Sequence, residues 1–165
     1  MAKTPDNLDE AFAGESKAST TYFAFARKAD QEGYAGVARL FRAAAAAEQV
    51  HARNHLDAMA GIGSTEENLK TAIAGENMEH VKMYPEFIEA AQKEQQPKAE
   101  RTFSWARQVE ITHEGLYKAA LDALQSKAPP KEFYVCQVCG HTAEGEAPDR
   151  CPVCGAAKAQ FKKVD

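Results

Sequence analysis

Four segments of the chain carry the periodicity of amphipathic helices. Apolar residues recur three or four positions apart over residues 5–31, 35–60, 65–95 and 98–126. These segments are rich in Ala, Glu, Lys and Gln, which favour helix. We expect Thr4 to cap the first helix, and Ser64 with Glu67 has the capping-box spacing that starts the third. The pattern predicts four long helices, of which the third should be kinked at Pro85.

The helical region contains an internal repeat. Residues 7–15 (NLDEAFAGE) align with residues 68–76 (NLKTAIAGE) and are identical at six of nine positions. A Glu-x-x-His motif follows each copy, beginning 33 residues after Glu15 at Glu48 and 34 residues after Glu76 at Glu110. The four predicted helices are therefore two copies of one helix pair.

The repeated carboxylates lie within or beside the apolar faces of their helices. On the second helix this face is formed by Leu40, Ala44, Ala47, His51 and Ala58. Four unpaired carboxylates on one bundle axis would repel one another and would be costly to bury, so cations are the natural compensation. We therefore expect the repeated motifs to hold metal.

The type and spacing of the polar residues indicate which kind of metal site this is. One Glu from each of two helices and Glu-x-x-His from each of the other two form the pattern of dinuclear carboxylate bundles. Mixed oxygen and nitrogen donors favour iron or manganese over zinc. The predicted ligands are Glu15, Glu48, His51, Glu76, Glu110 and His113.

Several neighbouring residues allow two interpretations. Glu79, where the first copy has Ala18, is either a seventh ligand or a solvated helix residue. Tyr22 and Tyr84 lie about two helical turns beyond the paired Glu residues. They are either core aromatics or hydrogen-bond partners of a ligand carboxylate, and so candidate catalytic residues. Three further histidines are predicted to lie outside the ligand set: His55 and His80 beside it or partly exposed, and His141 on the surface.

The C-terminal segment carries a second kind of metal site. All four cysteines form two Cys-x-x-Cys-Gly motifs, at Cys136 and Cys139 and at Cys151 and Cys154. Two such motifs predict a tetrahedral four-sulfur site for zinc or a single iron, and spacing alone does not separate the two metals. Prolines between the regions predict a linker. The predicted organisation is a helical domain at 1–127, a linker at 128–132 and a metal domain at 133–165.

Charge and hydropathy exclude other classes of function. With 20 Lys+Arg against 24 Asp+Glu, the chain lacks the basic excess that nucleic-acid binding by bulk charge requires. No apolar run approaches the ~18 residues of a membrane span, and no secretory signal is visible. Five acidic residues belong to the predicted metal site if Glu79 is included, which leaves 19 acidic against 20 basic residues. The negative net charge therefore need not mean an acidic surface.

These motifs together resemble those of the rubrerythrins over essentially the whole chain. The resemblance includes the stretch from Ala74 to Phe87 (AGENMEHVKMYPEF) and the Cys-Pro-x-Cys-Gly tail. It implies an all-α, ferritin-like four-helix bundle followed by a small, irregular or β rubredoxin-like domain. It further implies two non-haem irons in the bundle and one iron on the four cysteines.

The resemblance also implies roles for individual residues. Glu48 and Glu110 would bridge the irons, and Glu15 and Glu76 would be terminal ligands. His113 would bind one iron, and the other would alternate between His51 and Glu79. The family implies a cytoplasmic homodimer that reduces hydrogen peroxide to water, with electrons from an NAD(P)H-linked reductase or rubredoxin arriving through the thiolate-bound iron.

Two alternative functions and one structural question remain open at this point. A ferroxidase or iron store would use the same bundle, and a zinc-ribbon interaction protein would use the same tail. Residues 92–98 lack the Gly-Phe-type turn that many family members have between the third and fourth helices. The fourth helix carries the chain roughly 20 Å from His113 to Ser126. We therefore expect a head-to-tail dimer to bring the small domain to a partner's irons, unless the tail folds back.

Overall fold

The computed structural model describes residues 3–126 and 129–164 of the chain, apart from the side chain of Gln125. The chain divides into two compact units, Met1–Gly63 and Ser64–Asp165. Each unit contains one copy of the repeat, and the second also contains the cysteine-rich segment. Lys127, the predicted end of the helical domain, and Ala128, the predicted start of the linker, lie outside the described residues.

The first unit is a pair of packed helices, α1 (Thr4–Gln31) and α2 (Ala35–Ala58). Small side chains, mostly alanine, line their interface and let the two helices approach closely. The buried residues of the pair are Ser19, Ala26, Ala29, Ala38, Ala45 and Ala52. The Ser19 hydroxyl donates to the carbonyl of Ala45 across this interface, at 3.0 Å.

Two expectations for the first unit need correction. The buried face of α2 is the line of Ala38, Ala45 and Ala52, and Leu40 from the predicted face is 68% exposed. Alanine occupies every face of α2 between residues 43 and 47, so periodicity alone did not identify the packed side. Helix α1 begins at Thr4 rather than after it, because the Asp6 carboxylate accepts the backbone N–H of Lys3.

The second unit begins with three helical segments, α3 (Thr65–Met78), α4 (Tyr84–Lys93) and α5 (Pro97–Ala123). Ser64 and Glu67 form the predicted capping box at the start of α3. A π-helical turn, Glu79–Met83, joins α3 to α4 directly before Pro85. A 3₁₀ turn, Leu124–Ser126, ends α5. The α-helical ladder is thus interrupted near the proline that the sequence singled out.

The C-terminal segment forms a three-stranded antiparallel sheet in the order β2-β1-β3. The strands are β1 (Phe133–Cys136), β2 (Thr142–Glu144) and β3 (Phe161–Val164). Val135 of β1 faces Thr142 of β2 on one side and Lys162 of β3 on the other. Among the described residues, no helix is both long and apolar enough to cross a membrane.

Candidate metal centres

The first predicted ligand group lies between α1 and α2. Ligand atoms of Glu15, Glu48 and His51 lie within 4.8 Å of one another. His51 Nδ1 is 2.8 Å from Glu48 Oε2, as the Glu-x-x-His spacing predicts for one helical face. The His51 side chain is 54% exposed. We call these three residues the first carboxylate–histidine cluster.

The second predicted ligand group has the same construction between α3 and α5. Glu76, Glu110 and His113 place ligand atoms within 4.8 Å of one another. His113 Nδ1 is 2.8 Å from Glu110 Oε2 and 3.7 Å from Glu76 Oε1. The His113 side chain is 25% exposed. This second carboxylate–histidine cluster is therefore more enclosed at its histidine than the first.

The surroundings of the second cluster disfavour the ionised form of its carboxyl groups. Burial raises the pKa of Glu76, and its hydrogen bond with Glu110 and the charge of Glu110 raise it further. Burial also raises the pKa of Glu110, and the charge of Glu79 adds to the rise. Adjacent carboxylates that repel one another and converge with an imidazole nitrogen suit a bound cation, which would displace the shared proton. The donor set fits iron.

Glu79 lies beside the second cluster and not within its set of closely spaced ligand atoms. Burial raises the pKa of Glu79, the Glu76 charge raises it further, and His113 opposes the rise. The Glu79 carboxylate is thus close enough to Glu76 and His113 to interact electrostatically with both. The structure therefore keeps Glu79 available as a further ligand.

The π-helical turn explains a difference between the two copies. Tyr22 follows Glu15 by seven residues, whereas Tyr84 follows Glu76 by eight. The turn at Glu79–Met83 lies between Glu76 and Tyr84 and absorbs the additional residue. Glu79 is the first residue of this turn.

Matching aromatic clusters confirm that the repeat has equivalent packing in the two units. The Tyr22 ring lies 6.1 Å from Phe41, and the Tyr84 ring lies 6.3 Å from Phe103. A Phe–Phe contact with centroids 5.5 Å apart completes each cluster, between Phe25 and Phe41 and between Phe87 and Phe103. All three equivalent positions are 62 residues apart.

Both predicted tyrosines are half-buried, and the second responds to the carboxylates. Burial raises the pKa of Tyr84, and the charges of Glu79, Glu110 and Glu76 raise it further. Its hydroxyl therefore stays protonated and remains a hydrogen-bond donor beside the second cluster. Tyr22 packs among Phe25 and Phe41 near the first cluster's helices.

Glu114 is a residue beside the site that the sequence reasoning missed. Its carboxylate accepts from Asn77 at 3.0 Å and lies 2.7 Å from His80 Nε2 and 2.8 Å from Lys118 Nζ. Hydrogen bonds from Lys118, His80 and Asn77 lower the pKa of Glu114 to about 2, against the effect of burial. These contacts tie α3 and the π-helical turn to α5, and they place His80 beside the ligands as predicted. His55 is half-buried.

Arg107 was also missed, and it supports the π-helical turn. Its Nε–H donates to the carbonyl of His80 at 3.0 Å. Because a π-helical turn interrupts the regular backbone ladder, its carbonyl groups need other partners. The sequence could have indicated only that Arg107 and Glu114 lie on the face of α5 that bears the predicted ligands. It could not have indicated which groups they contact.

The four cysteines form the predicted cluster in the small domain. Their sulfur atoms lie within 4.8 Å of one another, with Cys136 and Cys154 3.7 Å apart and Cys139 and Cys151 3.5 Å apart. Tetrahedral thiolates at about 2.3 Å from a metal would be about 3.8 Å apart, so the spacing fits one ion. The predicted glycines Gly140 and Gly155 have φ values of +84° and +74°, which favour glycine.

Backbone donors point at the cysteine sulfurs. Burial raises the pKa of Cys136, but N–H groups of Val138 and Cys139 outweigh it, so its pKa lies below the ordinary value. Burial raises the pKa of Cys139, although the N–H of His141 opposes the rise. Such N–H groups stabilise thiolates and tune a bound metal.

The small domain folds back along α5 of its own chain. Thr142 Oγ1 lies 2.9 Å from His113 Nε2. A cleft of about 330 Å³ beside this contact is lined by residues of both parts, including Leu69, Leu116, Tyr117 and Phe133. Of the two arrangements considered from the sequence, the structure therefore has the one in which the tail folds back toward the ligands of its own chain.

His141 needs a correction at this contact. It was expected on the surface, but it is half-buried, and its Nδ1 is buried with no hydrogen-bond partner among the described residues. Burial lowers the pKa of His141, and the charge of His113 lowers it further. The side chain faces α5 in a cleft that includes Trp105 and Gln108.

Comparisons with known proteins agree with both parts of this arrangement. The rubrerythrin family model matches residues 6–121, and the model of the rubrerythrin rubredoxin-like domain matches residues 134–162. Rubrerythrin-2 of Clostridium acetobutylicum is 35% identical over 98% of this chain and 96% of its own length. Nigerythrin of Nitratidesulfovibrio vulgaris is also 35% identical, over 98% of this chain and 86% of its own.

A solved structure extends the similarity to the fold. The fully reduced, all-ferrous state of nigerythrin matches with a TM-score of 0.60 and 34% identity, covering 99% of this chain and 88% of that one. The predicted fold class, ferritin-like helices with a small rubredoxin-like domain, is confirmed. The homologues imply an oxidoreductase, and the two kinds of cluster imply iron. The chain belongs to the rubrerythrin family.

Proposed function

We propose that this protein is a non-haem di-iron peroxidase that reduces hydrogen peroxide to water in defence against oxidative stress. One observation carries the proposal: the cysteine cluster lies in a domain that contacts His113 of the second carboxylate–histidine cluster. A site that only oxidised or stored iron would have no need for an electron donor docked on its ligand. The contact therefore favours the peroxidase over the ferroxidase alternative.

The proposed metal content is two irons on the carboxylate–histidine clusters and one iron on the four cysteines. Zinc at the cysteines as isolated is the alternative occupancy. Glu15, Glu48 and His51 would hold iron at the first cluster, and Glu76, Glu110 and His113 would hold it at the second, with Glu79 as a further ligand. When bound, the pair would supply two electrons for cleavage of the peroxide O–O bond.

Residues of this chain would donate hydrogen bonds and balance charge during the reaction. Reduction of one hydrogen peroxide to two water molecules consumes two electrons and two protons. The Tyr84 hydroxyl, whose pKa is raised by burial and by the charges of three carboxylates, would stay protonated and donate a hydrogen bond at the edge of the second cluster. Tyr22 would have the equivalent role at the first. Glu79 would offer an anionic ligand beside the second cluster, and His51 a neutral one in the first.

The proposed partners are an electron donor and a second copy of the chain. Electrons would come from an NAD(P)H-linked reductase, directly or through a rubredoxin, and the enzyme would act in the cytoplasm as a head-to-tail homodimer. Exposed apolar residues of the first unit, such as Leu40 at 68% and Val37 at 47%, support association with another protein surface. Sedimentation of the iron-loaded protein tests this; a monomer with full activity would refute the dimer.

Metal analysis with visible spectroscopy tests the function. We expect about three irons per chain and ferric-thiolate absorption that disappears on reduction and returns when hydrogen peroxide is added. Zinc without colour would favour the interaction-protein alternative. A reduced thiolate site that peroxide does not reoxidise, in protein that still oxidises added ferrous iron, would favour the ferroxidase.

A further inference from the structure

The two carboxylate–histidine clusters differ at the outer nitrogen of their histidines. In both, Nδ1 faces the carboxylate three residues earlier at 2.8 Å. The His51 side chain is 54% exposed, whereas the His113 side chain is 25% exposed and its Nε2 meets the Thr142 hydroxyl. The repeat therefore duplicates the inner face of the histidine, and in the second copy Thr142 of the small domain contacts the outer nitrogen.

In metal-loaded protein, the atom that binds the metal determines which group donates in the hydrogen bond between His113 and Thr142. A metal on Nδ1 leaves the imidazole proton on Nε2, which donates to Thr142 Oγ1. The Thr142 hydroxyl in turn faces the carbonyl of Gly140, at 3.4 Å. The bond thus orients the His113 ring so that Nδ1 points at Glu110 and Glu76.

Thr142 is also close to the cysteine cluster along the chain. It follows Cys139 by three residues, through Gly140 and His141. Burial raises the pKa of Cys139, and the backbone N–H of His141, which points at the Cys139 sulfur, opposes the rise. The backbone from Cys139 to Thr142 and one hydrogen bond of 2.9 Å therefore connect a predicted cysteine ligand to a predicted histidine ligand.

We propose that Thr142 is a positioning residue that connects the two metal sites of one chain. It holds the small domain in register with His113, and one electron passes from the reduced cysteine site, which is oxidised, to the oxidised carboxylate site, which is reduced. The Nε2–H proton stays in place, and no covalent bond forms or breaks. This inference rests on the proposed peroxidase function.

Substitutions at Thr142 separate the effect of its hydroxyl from that of the rest of the contact. Thr142→Val keeps the shape and the β-branched strand residue, and Thr142→Ser restores the hydroxyl. Thr112→Val is the matched control, because Thr112 lines the neighbouring cleft between α5 and the small domain while its hydroxyl bonds to Gln108 of its own helix. An unchanged ferric-thiolate spectrum shows that each variant has a folded small domain.

Two measurements test the proposal. In fully zinc-loaded protein, the imidazole ¹H–¹⁵N spectrum of His113 reports whether Nε2–H is protected from solvent exchange. In iron-loaded protein, mixing the fully reduced form with hydrogen peroxide gives the rate at which ferric-thiolate absorption returns. We expect Thr142→Val to lose the protection and to slow the return about tenfold or more. Thr142→Ser and Thr112→Val should remain close to the unmodified protein.

The outcomes separate this inference from the proposed function. If peroxide does not restore ferric-thiolate absorption in the unmodified protein, the peroxidase function fails. If it does, and Thr142→Val retains either the Nε2–H protection or the rate, the positioning role of Thr142 is overturned. A Thr142→Ser variant as impaired as Thr142→Val would also overturn it, because the hydroxyl would then not be the group that matters.

Discussion

Glu114 joins three polar side chains of the second unit at one carboxylate. Its carboxylate is shared by Asn77, His80 and Lys118. The equivalent residue 62 positions earlier is Ala52, which is buried against α1. Where the first unit has an apolar helix contact, the second unit thus has a polar one, one residue after the predicted ligand His113. This polar contact depends on the ionised carboxylate of Glu114.

The lowered pKa of Glu114 makes part of the stability depend on pH. Because its pKa falls from 4.5 to about 2 on folding, its contribution is fully present above about pH 4.5 and is lost as the pH falls to 2. In Glu114→Gln, this part of the acid destabilisation should be absent. Denaturant unfolding of metal-free protein followed by helical circular dichroism at several pH values measures it. Parallel pH curves for the two proteins would contradict the expectation.

A second prediction at the residue scale concerns Glu79. Removing it by Glu79→Ala should leave two metals on the carboxylate–histidine clusters, because Glu79 lies outside both sets of closely spaced ligand atoms. Peroxidase turnover should fall, since one iron would lose its alternative anionic ligand. Metal content and steady-state rate measure the two effects, with the exposed Glu86→Ala as control. Unchanged turnover in Glu79→Ala would count against ligand exchange.

At the scale of elements, equivalent turns in the two copies use different residues. Gly33 joins α1 to α2 with φ of +84°, and Gln95, 62 positions later, joins α4 to α5 with φ of +54°. The backbone N–H after each turn residue returns to a carbonyl five residues earlier, from Tyr34 to Ala29 and from Gln96 to Ala91, both at 2.8 Å. The absence of the expected glycine therefore changes the residue and not the geometry.

The left-handed conformation of Gln95 carries a cost that glycine avoids. Gln95→Gly should raise the free energy of unfolding by roughly 1 kcal/mol, less the entropy that glycine gains in the unfolded chain. The converse change, Gly33→Gln, should lower it by a comparable amount. Denaturant unfolding of the metal-loaded variants measures both. A destabilised Gln95→Gly would show that the glutamine side chain contributes more than its backbone strain costs.

The helix boundaries were predictable because local signals mark them. Gly61, the capping box at Ser64 and the proline at position 97 place the ends within about two residues of those observed. The π-helical turn also left a signal, since the 33- and 34-residue spacings of the two copies differ by one. Periodicity could not locate it, because a search for α-helical faces assumes a constant turn throughout.

Other features had no local signal. The face of α2 that packs on α1 is defined by alanines in a run where every face has alanine. Thr142 is an ordinary residue for a strand, and its contact with His113 depends on where the tethered small domain docks. The two converging groups of carboxylates and histidines were predictable, since metal binding restricts the residue types and the helical spacing of these residues is regular.

At the scale of the whole molecule, the small domain depends on its metal more than the helices do. Strands β1, β2 and β3 contain eleven residues in total, which is too little to bury a stable core without a metal. Removing all metal with a chelator under reducing conditions should therefore unfold residues 133–164 and preserve most of the helical circular dichroism signal. Limited proteolysis should then cut within the small domain first. A protease-resistant small domain without metal would contradict this dependence.

The six residues between Ser126 and Phe133 have a consequence for how the two metal sites meet. A short tether fixes the local concentration of the small domain near α5 in the millimolar range, whatever the concentration of the protein. A contact built from one hydrogen bond and a shallow apolar cleft, too weak to join separate proteins, can therefore be well populated within one chain. The same weakness lets the domain detach from α5 and dock again. The tether makes docking a first-order event, so its frequency is independent of dilution.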